Sequence, residues 1–294
     1  MNKQITIAIA SGKGGTGKTF VSTNLFNTLV KKGFNTTLTD CDAEEPNDRE
    51  FFNCELIETI NVTRKIPVID SNKCIYCGMC YEYCNYHAIF FLREQKTIKV
   101  FEELCHGCGA CSVACGFNAI TEKDVILGTV SRYKVANCGQ LVESRIRVGV
   151  YTPVFVIKKA VQESINPGIT LLDSPPGTSC PFIQTVIGAD YVVLITEPTP
   201  FGLSDIRQSV DTLKTLNKKY GVVINRAGMG NNDVFDYLEQ EHIPLLMSIP
   251  FDKEIALCYS NGNLLTNLSS EWDQKFYKLY NSIIDNYDHS NNKW

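Results

Sequence analysis

The run ITIAIA (5–10) leads directly into SGKGGTGKTF (11–20), which opens a segment with helical spacing (17–32). A glycine-rich turn between a short apolar strand and a helix leaves few folds open. The strand has to be covered on both faces, and the helix has to pack back onto the sheet that the strand joins. The rhythm returns later in the chain. TTLTD (36–40), GITLLD (168–173), DYVVLIT (190–196), YGVVIN (220–225) and IPLLMSI (243–249) read as short buried strands, with helical stretches such as 203–218 and 231–241 between them. The expected fold class is α/β, a mostly parallel sheet with helices on both faces.

Gly12, Gly17, Lys18 and Thr19 satisfy the pattern G-x-x-x-x-G-K-[ST]. Glycines let backbone N–H groups approach phosphate oxygens, a lysine at this position neutralises the β/γ oxygens, and the hydroxyl after it suits Mg²⁺. The candidate cradle is therefore Gly12, Gly14, Gly15, Thr16, Gly17, Lys18 and Thr19. Lys13 is a second lysine that this pattern does not require. Asp40 and Asp42, in DCDAEEPN (40–47), follow the second strand, and Asp173 ends another strand before SPPGT.

Between the early and late strands the pattern breaks. The chain has 13 cysteines, and eight lie in CIYCGMCYEYCNYHAI (74–89) and CHGCGACSVACGFNAI (105–120), two copies of C-x2-C-x2-C-x3-C. Thiolates at this spacing wrap three corners of a [4Fe–4S] cubane, and the fourth cysteine crosses to the other cluster. Cys74, Cys77, Cys80 and Cys115 are expected to hold one cluster; Cys84, Cys105, Cys108 and Cys111 the second. Structural zinc usually pairs two knuckles rather than repeating three plus one. Pro67 and Gly128 bracket the repeat, so the expected organisation is 1–65, an inserted domain over 66–128, and 129–294.

No run reaches the roughly 18 apolar residues of a membrane helix. No secretory pattern precedes the first strand. A net charge of −4 gives no basic footprint for nucleic acid. A cytoplasmic protein without membrane insertion or nucleic-acid binding is expected. The tail from Glu271 places Trp272, Phe276, Leu279, Tyr280, Ile283 and Ile284 on one helical face, suited to docking on the protein's own core.

KGGTGKT (13–19) resembles the deviant phosphate loop of the MinD/ParA/nitrogenase iron protein group of ATPases. The whole chain, including TEPTPFGLSDI (196–206), resembles MinD-superfamily ATPases carrying an inserted ferredoxin domain. That resemblance implies a homodimer in which Lys13 reaches the partner's nucleotide, comparable to an arginine finger. It implies a first switch in which Asp42 orients the attacking water and Asp40 joins the Mg²⁺ shell, with the two roles open to exchange. Asp173 matches the Walker B carboxylate, near Mg²⁺ through water. VINR (223–226) and IPFD (249–252) resemble adenine-contacting segments, with Asn225 offering an amide to the base edge and Pro250 and Asp252 alongside. Lys13, Lys18 and Asp42 are the catalytic candidates, and Mg-ATP and two [4Fe–4S] clusters the expected cofactors.

Three functions fit this reading. One is ATP-gated electron transfer to an unidentified redox partner. The second is an iron–sulfur or metallocofactor assembly ATPase. Such carriers often show an additional close cysteine pair, whereas Cys41, Cys54, Cys138, Cys180 and Cys258 are scattered singly here. The third is a positioning ATPase like MinD. Cys180, seven residues after Asp173, matches the offset of a bridging-cluster cysteine in the nitrogenase iron protein. Cys138 would have to be its companion; the expectation is that both are buried structural thiols.

Overall fold

The computed structural model describes residues 4–136, 138–165 and 167–291. The elements run β1 (Ile5–Ala10), α1 (Lys18–Lys31), β2 (Thr36–Asp40), a 3₁₀ turn (Asp48–Phe51), β3 (Cys54–Ile69), α2 (Met79–Glu82), β4 (Ile89–Leu92) and β5 (Thr97–Val100). Next come α3 (Ala110–Ala114), β6 (Ile120–Val135), β7 (Gly139–Ile146), α4 (Val154–Ser164), β8 (Ile169–Asp173), α5 (Cys180–Ile187) and β9 (Tyr191–Thr196). The chain closes with α6 (Pro200–Thr215), β10 (Tyr220–Ala227), α7 (Asp233–Gln240), β11 (Leu245–Pro250), α8 (Lys253–Ser260), α9 (Leu265–Leu268) and α10 (Ser270–Asn291).

Contacts divide the chain into two compact units. The first holds the chain up to Ile60, Val130–Arg145 and everything from Pro153 onward; the second holds Asn61–Thr129 and Ile146–Thr152. The sequence places an insert at 66–128, so the second unit also takes in the middle of β3 and a short return segment. Backbone pairing ties that segment in, because Arg147 N–H donates to Leu127 O at 2.8 Å.

In the first unit the sheet order β11-β10-β9-β1-β8-β2-β7 is parallel throughout, and β6 and β3 extend it beyond β7. The chain has the mostly parallel α/β sheet expected of it. All residues of β8 and β9 are buried, as strands covered on both faces should be. The register pairs Ile9 with Asp173 and Asp40 with Asp173. Three strands therefore end at one level, and the groups that follow them gather at the carboxyl edge, where α/β sheets bind ligands.

Helix α1 lies between the sheet and α10. Phe20, Val21, Leu25, Phe26 and Leu29 enter the core, as do Phe276, Leu279, Tyr280 and Ile283 of α10, with Trp272 and Ile284 packed against it. Polar residues of α1 settle register: Asn24 Oδ1 accepts from Thr266 N–H at 3.0 Å, and Thr28 Oγ1 donates to Asp273 Oδ1 at 2.9 Å. The apolar face of the tail docks on the protein's own core.

The second unit repeats itself in conformation as well as in spacing. Tyr76 and Gly107 (φ 56° and 66°), Gly78 and Gly109 (89° and 74°), and His87 and Asn118 (50° and 51°) occupy the left-handed region in equivalent pairs. Gly78 and Gly109 each cap the short helix, α2 or α3, that carries the third cysteine of its copy. The antiparallel hairpin β4–β5 completes the unit, pairing Ile89 with Val100.

Phe276 is fully buried and meets Phe20 edge-on at 6.0 Å. Phe276→Ala should cost about 3–5 kcal/mol in equilibrium denaturation. A loss below about 1 kcal/mol would mean that α10 adds little to the fold.

Candidate functional site

The turn after β1 folds around two close approaches. An added Cβ at Gly12 would stand 2.6 Å from Asp205 O, and one at Gly17, whose φ is 100°, only 2.4 Å from Asn225 Nδ2. Neither position has room for a side chain. Asn225 Nδ2 donates to Thr16 O at 2.8 Å, and its Oδ1 accepts from the Arg226 N–H at 2.9 Å. Asn225 therefore braces the loop through one N–H and one lone pair of an amide that carries two of each.

The loop opens on a cavity of about 430 Å³, within the range of small-molecule sites. Gly14, Gly15, Gly17, Lys18, Thr19, Asp42, Asp173, Asn225, Pro250 and Asp252 all line it. Gly12, Lys13, Thr16 and Asp40 stand outside that lining. Lys18 is 8% exposed and its Nζ donates to Ser11 Oγ at 3.0 Å. Burial lowers its pKa, against the pull of Asp173 and then Asp42. Thr19 Oγ1 donates to Asp173 Oδ2 at 2.9 Å, joining the expected Mg²⁺ hydroxyl to the expected Mg²⁺ carboxylate. Burial raises Asp42 while Lys18 pulls it back.

Asp40 is used differently. Its Oδ1 accepts from Asp42 N–H, and its Oδ2 from the N–H groups of Asn47 and Asp48, at 2.8–3.0 Å. It folds the loop over 41–48 around its own carboxylate.

Sequence reasoning passed over three residues here. Asp48 is fully buried with no hydrogen-bond donor on either oxygen, and its carboxyl lies against that of Asp173. Burial pushes Asp48 well above the usual carboxylate range, with Asp173 and Asp40 adding to the shift. Burial also carries Asp173 up to about 6, opposed by Lys18. Tyr259 lines the cavity beneath α8 and stacks on Phe51 at 5.2 Å; burial pushes its phenol up to about 12. Arg226 also lines the cavity. In EEPNDRE (44–50) Asp48 reads as one more solvated acid, and only the Pro46–Asn47 turn hints that the chain folds inward.

Lys13 is held within its own chain, with Nζ 3.3 Å from Glu197 Oε2. Cys180 is exposed and begins α5, beyond the carboxyl end of β8. Cys138 sits at the opposite edge of the sheet: its carbonyl accepts from Thr36 N–H at the start of β2, and its Sγ donates to Val30 O. The length of β2 separates these edges by roughly 13 Å. A bridging cluster fed by Cys138 and Cys180 together does not match this placement.

In the second unit, Cys84, Cys105, Cys108 and Cys111 line one small cavity, and Cys74, Cys77, Cys80 and Cys115 line another. Each cavity thus takes three thiols from one copy of the repeat and the fourth from the other. Main-chain amides point at the sulfurs: Ala88 N–H at Cys84 Sγ (3.3 Å), Ala119 N–H at Cys115 Sγ (3.4 Å) and Gly107 N–H at Cys105 Sγ (3.4 Å). Burial pushes the Cys80 thiol up to about 11. Among the described residues no three His, Cys, Asp or Glu side chains close on one point as they would around a single ion.

The model of the CobQ/CobB/MinD/ParA nucleotide binding domain matches residues 7–265. The chain belongs to that family. An uncharacterized protein of Methanocaldococcus jannaschii, MJ0579, is 32% identical over 267 residues, covering 89% of this chain and 91% of the relative. An iron-sulfur cluster carrier protein of Rickettsia conorii is 22% identical over 272 residues, 91% of this chain and 67% of the relative. Among solved structures, septum site-determining protein MinD from Pyrococcus horikoshii, complexed with Mg-ADP, shares the fold at a TM-score of 0.56 and 19% identity, covering 95% and 94% of the two chains. This CobQ/CobB/MinD/ParA domain places its phosphate loop where the lysine, threonine and aspartate above converge. Among the described residues no helix is long and apolar enough to cross a membrane.

Replacing Asp48 by Asn removes one of two abutting buried carboxyls and supplies an N–H donor to Asp173. The nucleotide-free Asp48→Asn protein should be more stable by about 1–2 kcal/mol in a urea titration. Equal or lower stability would show that the acid pair carries no strain.

Proposed function

We propose that this protein binds and hydrolyses ATP and couples nucleotide-driven pairing of two copies to electron transfer through two [4Fe–4S] clusters. The observation that carries this reading is the exchange of the fourth thiol between the two cavities. Cys74, Cys77, Cys80 and Cys115 would hold one cluster and Cys84, Cys105, Cys108 and Cys111 the other, the crossing that twin-cluster spacing requires. The residues fit the group, since four cysteines line each cavity and amides of Ala88, Ala119 and Gly107 are aimed at three of the eight sulfurs. Bound clusters supply one-electron carriers, and the protein supplies their thiolates and the amide dipoles that set their potential. The ferredoxin-like character of the second unit, as an insert in the ATPase, belongs to the same proposal.

At the nucleotide cavity, Lys18 and the amides of Gly14, Gly15 and Gly17 would hold phosphates, and Thr19 and Asp173 would serve Mg²⁺. Asp42, lining the cavity beside Lys18, would orient the water. Pro250 and Asp252 would flank the base. Lys13 would act on the nucleotide of a second copy.

A second reading, delivery of clusters to other proteins, is favoured by the names of relatives: iron-sulfur cluster carrier proteins, and the cytosolic Fe-S cluster assembly factor CFD1 of Debaryomyces hansenii at 25% identity. Electron transfer keeps its iron through many reductions, whereas a carrier loses it to an acceptor.

Anaerobically reconstituted protein should contain about eight irons per chain. It should be reduced and reoxidised repeatedly without losing iron to an apo-ferredoxin. Stoichiometric zinc without iron would overturn the cluster assignment, and rapid ATP-dependent iron loss to the acceptor would favour the carrier. Lys18→Ala should weaken nucleotide binding itself, whereas Lys13→Ala should bind nucleotide yet lose hydrolysis. Mixing Lys13→Ala with Asp42→Ala chains should restore activity, because one site of a mixed pair has Asp42 and receives Lys13. Mixed pairs that form and stay inactive would refute the trans role.

A further inference from the structure

Lys13 and Glu197 lie far apart in the chain but meet beside the phosphate loop. The Glu197 side chain is 9% exposed and uses its two oxygens on two cations: Oε2 faces Lys13 at 3.3 Å, and Oε1 accepts from Arg226 Nη1. Arg226 Nη2 also donates to Gly15 O at 3.2 Å, and its backbone sits in the left-handed region at φ 53°. Only its surroundings hold a non-glycine residue there.

The acid is the fixed member of this trio. Its carbonyl accepts from Thr199 N–H at 2.8 Å, and the backbone of Gly202 packs so close that an added Cβ would stand 2.1 Å from that carbonyl. Lys13 is the movable member, 33% exposed on a four-carbon stem. When the lysine leaves, Arg226 still neutralises Glu197. The departure strands no buried charge, so the pair can open without the usual penalty of a broken buried ion pair.

We propose that Glu197 is a positioning residue that retains Lys13 in its own subunit until two nucleotide-loaded copies meet. The Lys13–Glu197 pair then sets the nucleotide level at which copies pair. This rests on the reading of Lys13 as a group that acts in trans. Each pairing event trades two cis contacts to Glu197 for two trans contacts to nucleotide, so weakening the cis contact favours the pair.

The test compares the concentration of Mg²⁺ plus a non-hydrolysable ATP analogue that gives half-maximal pairing, read by analytical ultracentrifugation on the full chain. Glu197→Gln keeps the shape and removes the charge, and should lower that concentration about threefold to tenfold. Glu197→Asp keeps the charge on a shorter arm and should fall between Glu197→Gln and the wild type. In a Lys13→Ala background the Glu197→Gln change should have no further effect on pairing, which a general loosening of the loop would not reproduce. An unchanged or raised threshold in Glu197→Gln overturns the latch; if that variant does not fold, the same result in Glu197→Asp does so. If Lys13→Ala hydrolyses ATP like the wild type, or the wild type never pairs, the trans reading fails and the latch with it. An inactive Lys13→Ala beside thresholds that Glu197 does not move overturns the latch alone.

Discussion

A lysine drawn into a nearly closed interior needs its counter-charges built around it, and Lys18 determines where they stand. Its ammonium rests on Ser11 and feels Asp173 and Asp42. Those acids reach it because β1, β2 and β8 are in a register that ends them together. The balance is uneven, since Asp173 and Asp42 act on one buried lysine while Asp40 and Asp48 crowd Asp173. Asp40 is satisfied by main-chain amides, but Asp48 and Asp173 Oδ1 are left without donors. Such an edge is short of positive charge, and its donor set of hydroxyl and carboxylate oxygens is the kind that Mg²⁺ prefers.

Burial of the sheet on both faces has a second effect. A strand such as YVVLIT (191–196) can carry no working polar group along its length, so everything chemical is pushed to its ends. The braces on the phosphate loop accordingly come from the residue after β9 and from the carboxyl end of β10. Glu197 and Arg226 lie one and two residues past the last pairings of those strands with each other.

Much of this was legible in the residues. Continuous apolar runs of five to seven residues announce strands covered on both faces, and the matching of 74–89 with 105–120 announces a duplicated unit. What could not be read depends on how the backbone folds back on a side chain and on partners brought in from other strands. Nothing in DCDAEEPN tells that the amides of 42, 47 and 48 close on the Asp40 oxygens. That Asn225 also ties Thr16 O and the Arg226 N–H together is not visible in VINR. Cys180 reads as a buried thiol, yet it stands exposed at the start of α5. Lys13 has no visible partner in the sequence because Glu197 reaches it from beyond another strand.

The exchanged thiols have a consequence for the history of the second unit. Tandem duplicates ordinarily drift apart, because one copy can decay while the other keeps working. Here Cys115 walls the cavity of the first copy and Cys84 that of the second. A cut anywhere between Cys84 and Cys105 would take a side out of both cavities at once. Each copy thus supplies a wall of the other's cavity, so the two halves form one structural unit.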